Sequence, residues 1–75
     1  MTMPWDEFVE ECSEVLDDLE DIPDAGYDFA ESVEEKVRGM QAFAEDSHRV
    51  TSRMETALQN IRGGVERWLE GANCL

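Results

Sequence analysis

The chain has 75 residues, a hydrophobic share of 41% and a formal net charge of −13. That is enough apolar content for one small core, and too much for a typical acidic disordered chain. Nineteen acids against six Lys or Arg exclude a basic nucleic-acid binder and disfavour anionic membrane surfaces, both of which select clustered positive charge.

The first predicted element is an amphipathic helix within Trp5 to Ile22. Trp5, Phe8, Val9, Cys12, Val15, Leu16 and Leu19 recur at steps of three and four, the period of one buried helical face. Opposite that stripe stand Asp6, Glu7, Glu10, Glu14, Asp17, Asp18 and Asp21, all carboxylates. Pro4 suits a first helical turn, with Thr2 or Met3 as cap. Pro23 disfavours helical geometry in the residue before it, so the helix should end near Asp21 or Ile22. Asp24-Ala25-Gly26 reads as a turn.

A second helix is expected to open with Asp28 as N-cap and Glu31 three residues on, or alternatively at Ser32 with Glu35. Its apolar positions are Phe29, Val33, Val37, Met40, Phe43 and Ala44, with Glu34 and Arg38 forming an i,i+4 ion pair. Gly39 weakens its middle. Residues 46–49 make a polar connection in which His48 should face solvent. A third helix starts at Thr51 or Ser52, the latter giving a capping box with Glu55. Met54, Ala57, Leu58, Ile61, Val65, Trp68 and Leu69 form its stripe. Gly63-Gly64 implies close approach of a neighbouring helix or a kink, and Gly71 is placed to end the helix.

Three amphipathic helices with short connections predict an all-α fold, a small antiparallel three-helix bundle. One domain is expected over residues 1–75, with helices at about 4–21, 28–45 and 52–70. The opening MTMPWDEF has neither a basic nor an apolar signal region, and no apolar run approaches the ~18 residues of a membrane span, so a cytoplasmic protein is expected. Cys12 lies on the apolar stripe and Cys74 near the end of the sequence; both are expected as free thiols.

The chemistry-bearing motifs are missing. With Gly26 at position 6 of a calcium loop, Asp21, Pro23 and Ala25 occupy positions 1, 3 and 5, and Ser32 occupies 12; with Gly39 there, no acid falls at 3 or 5. One His and two Cys, 36 and 26 positions apart, make no zinc cluster. No phosphate loop or nucleophile elbow is present, and a bundle this small leaves little volume for a catalytic cleft. No metal, no cofactor and no enzymatic activity are expected.

The acids are unevenly distributed. Residues 1–35 carry fourteen Asp or Glu and no Lys or Arg, while residues 36–75 carry five acids and six bases. An ordinary solvated helix face mixes signs, because Glu–Lys neighbours stabilise and like charges destabilise. Asp17, Asp18, Glu20 and Asp21 crowd the end where the helix dipole is already negative, at ~0.3–1 kcal/mol each. Nine acids over residues 6–21 span roughly 24 Å, one charge per ~2.7 Å against ~1.7 Å along duplex DNA. Asp24, Asp28 and Glu31 extend the field around the first turn. The expected partner is a basic nucleic-acid-binding protein or complex, its Arg side chains meeting carboxylates as they meet phosphates.

In size, charge and helical habit the whole chain resembles the small acidic DNA mimics and anti-CRISPR proteins of phages and mobile elements. The segment from Val50-Thr51 through Asn60-Ile61 to Gly64-Val65 and Trp68-Leu69 is similar to the C-terminal part of small phage-type proteins of unassigned function. The resemblance implies an inhibitor that occludes a basic DNA or RNA channel, a CRISPR effector complex being the most specific version, inside the host cell. Two other readings compete. Trp5, Tyr27, Trp68 and Leu75 could anchor a homodimer or regulatory subunit through an apolar face. A salt-adapted protein would also be acidic, although its acids should cover the whole surface.

Overall fold

The computed structural model describes residues 3–73, so Thr2, Cys74 and Leu75 lie outside it. Three helices follow one another: α1 (Trp5–Leu19), α2 (Tyr27–Ser47) and α3 (Ser52–Asn73), with a single 3-10 turn at Asp24–Gly26. They form an all-α three-helix bundle, and no strand occurs among the described residues.

The periodicities place the core. Phe8, Cys12, Val15 and Leu19 of α1, Val33, Val37 and Ala44 of α2, and Met54, Leu58 and Val65 of α3 are all buried. Val9, Leu16, Phe29, Met40, Ile61 and Leu69 pack against them from the edges. Trp5 and Trp68 are half-buried, Phe43 is 48% exposed and Tyr27 63% exposed. At about 25 cal/mol per Å² of apolar surface, these interlocking stripes supply most of the stabilisation of so short a chain.

Polar contacts fix how the helices sit. The Gln41 side-chain amide of α2 donates to the Val9 carbonyl at 3.2 Å and to the Ser13 hydroxyl at 2.9 Å, both on α1. Arg62 of α3 donates to Glu11 of α1 at 3.0 Å. The backbone N–H of Met3 donates to Glu55 at 2.9 Å, tying the approach to α1 to the first turn of α3.

The helix ends depart from the sequence expectations for local reasons. Pro4 is the N-cap of α1 rather than a first-turn residue, its ψ of 147° being extended. α1 ends at Leu19, short of Asp21; Glu20, Asp21 and Ile22 instead donate to the carbonyls three residues back, a tightening that satisfies the helix's last acceptors. Asp28 does not cap α2. The 3-10 turn delivers Tyr27 already in helical geometry after Gly26, which leaves Asp28 inside the first turn. Thr51 caps α3 by accepting from the Met54 N–H at 3.2 Å. Glu55 is engaged by Met3, so the Ser52 capping box does not form. α2 runs past residue 45 to Ser47, and α3 passes through Gly71 to Asn73.

Two glycines are explained by packing. A Cβ at Gly26 would lie 2.7 Å from Ile22 and 3.1 Å from the Trp68 ring, and one at Gly64 would lie 2.9 Å from Phe29. Gly63 and Gly39 have open space instead, so close approach accounts for only one residue of the Gly63-Gly64 pair.

Candidate interaction surface

Helical geometry puts the acids outside because the apolar residues are drawn inside. Asp6, Glu7, Glu10, Glu14, Asp17 and Asp18 are all exposed along α1, and Asp21, Asp24, Asp28 and Glu31 are exposed around the turn and the start of α2. Asp6 accepts the N–H of Glu7 at 2.9 Å. Two ion pairs are formed among the described residues, Arg38–Glu34 and Arg62–Glu11, each at 3.0 Å, and neither engages any of those ten carboxylates. None of the ten is thus engaged in an ion pair among the described residues.

The ten do not form one spot. Asp6 and Glu7 stand at the first turn of α1, roughly 18 Å along the axis from Asp18 at ~1.5 Å per residue. Asp17, Asp24 and Glu31, by contrast, come together around a groove of about 480 Å³ between the end of α1 and the start of α2. Glu20 and Glu34 join that rim, and Arg38, paired with Glu34, closes one side. Neither Glu20 nor Glu34 stands out in the sequence as a site residue. Glu20 breaks the outward spacing of α1, and Glu34 is accounted for by its i,i+4 partner. The groove's rim thus carries five carboxylates and one guanidinium.

Glu11 leaves the acidic array. It turns toward α3 and Arg62, which lowers the outward count on residues 6–21 to eight, or one charge per ~3 Å of helix. No basic residue occupies the last turn of α1, so the crowd of acids there meets an uncompensated dipole.

No known family, no curated protein and no solved structure matches this chain.

The other chemistry-bearing groups are accounted for within the fold. Cys12 is fully buried on the inner face of α1; burial first, and the neighbouring Glu11 charge second, push its thiol up to about 11. His48 is the left-handed cap of α2, with φ of 54°, and stacks on Trp5. It is thus exposed as expected, but also part of the packing. Among the described residues, no three His, Cys, Asp or Glu side chains converge in an arrangement able to hold a metal ion. No helix among them is long and apolar enough to cross a membrane.

Proposed function

We propose that this protein is a non-enzymatic acidic decoy that presents phosphate-like carboxylates and blocks the basic nucleic-acid-binding surface of a partner. The observation that carries this reading is the exposure of ten unpaired carboxylates along α1 and around its turn into α2. A charge every ~3 Å on a rigid helix is within a factor of two of the spacing along duplex DNA. A basic groove evolved for phosphates would meet such a surface with bidentate Arg contacts and strong long-range attraction. The acid-rimmed groove near Asp17, Asp24 and Glu31 offers a seat for one inserted cationic side chain. The most specific form of the proposal is a phage-type inhibitor of a CRISPR effector complex, acting in the cytoplasm of the host cell.

The test is a pull-down from a host lysate comparing the wild type with Glu10→Gln, Glu14→Gln, Asp17→Asn and Asp18→Asn combined. Recovery of a nucleic-acid-binding protein, competition by DNA or RNA, and loss in the variant are expected. A variant that keeps the same partner at physiological salt would remove the acidic face from the interface.

A further inference from the structure

Tyr27 is the most exposed of the large apolar side chains among the described residues, at 63%. The other rings have places within the fold: Phe8 is fully buried, Trp5 stacks on His48, Phe29 lies beside Trp68, and Phe43 lines the groove between α2 and α3. Tyr27 stands instead amid the acids. It walls the groove rimmed by Asp17, Asp24 and Glu31, and it lines a second depression on α2 together with Glu31, Glu34 and Glu35. We propose, on the footing of the phosphate-decoy reading, that the Tyr27 ring stands in for an unstacked base. The surface this protein occludes is then a single-strand-binding site rather than a duplex-binding groove.

Charge spacing favours one strand over two. The outward acids of α1 stand one per ~3 Å, close to the ~3.4 Å per phosphate of one strand and nearly twice the ~1.7 Å of a duplex counted over both. A duplex also hides its rings, because the bases are stacked inside and much of the protein contact goes to phosphate and sugar. An exposed ring face has no counterpart on its outside. Single-strand sites differ: they combine a basic groove that tracks the backbone with aromatic side chains on which bases stack. A tyrosine ring offers the same kind of flat π-face.

Local geometry sets the ring between carboxylates. Asp24 opens the 3-10 turn that leads into Tyr27, and residues three apart in a 3-10 turn eclipse one another. Glu31 follows four residues on in α2, again on the same face. Acid, ring and acid thus fall in one row, each step roughly 6 Å along the axis. The backbone beneath is fixed. Gly26 is buried and donates its N–H to the Pro23 carbonyl at 2.8 Å, and an added Cβ there would lie 2.7 Å from Ile22 and 3.1 Å from Trp68. The ring is offered from a preorganised mount, which lowers the ordering cost of stacking on it.

The test starts from a protein that the wild type captures from lysate and that the four-site charge variant loses. That complex is challenged with an oligothymidylate, an oligouridylate of equal length and a duplex of the same length. One of the two single strands should release the partner at a lower phosphate concentration than the duplex, and which one does so separates DNA from RNA. Tyr27→Ala should weaken capture about tenfold, as loss of one stacked base does, and Tyr27→Phe should stay near the wild type. Because Tyr27→Ala removes no charge, its salt dependence should match that of the wild type. Its melting temperature should match too, since the side chain is exposed. A duplex that competes as well as either strand overturns the base-mimic role and leaves the charge decoy standing. So does a Tyr27→Ala variant that binds like the wild type. If no captured protein depends on the acids, the decoy reading itself falls, and the role of Tyr27 falls with it.

Discussion

The indole of Trp5 lies over the imidazole of His48, with ring centroids 4.3 Å apart and planes 14° from parallel. This stack joins the first residue of α1 to the cap of α2, two points 43 positions apart in the chain. His48 holds a left-handed conformation that costs a non-glycine residue roughly 1–2 kcal/mol. An aromatic contact contributes about 0.5–1.5 kcal/mol, so the two effects are of similar size. His48→Ala loses the stack and keeps the strain; His48→Gly loses the stack and relieves it. Urea unfolding should therefore find the alanine variant less stable than the glycine variant by about 1 kcal/mol.

The paired glycines of α3 should respond in opposite directions. Gly63→Ala enters open space and gains helix propensity, stabilising by about 0.5–1 kcal/mol. Gly64→Ala puts a methyl 2.9 Å from the Phe29 ring, so that ring, which also packs beside Trp68 at 6.3 Å between centroids, must shift. That displacement should cancel or reverse the propensity gain, at about 1–3 kcal/mol for overpacking. Equal melting temperatures for the two variants would contradict this packing.

Neutralising acids at the end of α1 should stabilise the fold. Asp17→Asn and Asp18→Asn each remove a negative charge from the negative end of the helix dipole, for about 0.3–1 kcal/mol at low salt. The gain should shrink as salt is added, because screening already relieves the wild type. Thermal melts at low and high ionic strength measure both effects.

Cys12 supplies a pH dependence with a definite sign. Its thiol rises from 9.0 in the unfolded chain to about 11 in the folded one, chiefly through burial. Between those values the native state holds a proton that the unfolded state has released, so the thiol's contribution to stability is complete below pH ~9 and is lost as pH rises toward ~11. Denaturant midpoints should fall across that window for the wild type and fall less for Cys12→Ala. Labelling of Cys12 at pH 8, followed in a Cys74→Ser variant, should be slow in the native protein and fast in urea.

The three helices were legible in the sequence because each carries its own apolar stripe, and a stripe at helical spacing needs no knowledge of its neighbours. Positions that depend on neighbours were not legible. Asp28 has the chemistry of a cap, but the chain enters α2 through a 3-10 turn that makes a side-chain cap unnecessary. Glu11 reads as one of a row of acids until α3 brings Arg62 to within 3.0 Å of it. Gly71 has the character of a stop signal, yet α3 continues through it. The ten outward carboxylates could be placed because exposure follows from the stripe they oppose. The groove around Asp17, Asp24 and Glu31, and the one between α2 and α3, are set by helix spacing, which periodicity does not encode.

Gln41 has a consequence for how well this small bundle is defined. Apolar stripes alone define register loosely: moving α2 along α1 by one turn, about 5.4 Å, would still set apolar residues against apolar residues. The amide of Gln41, bonded to the Val9 carbonyl and the Ser13 hydroxyl, would lose both acceptors in such a slip. One polar side chain thus acts as a register pin, as a lone polar residue does in a coiled coil. It locks the longitudinal position of the acids along α1 relative to Asp28 and Glu31 at the start of α2.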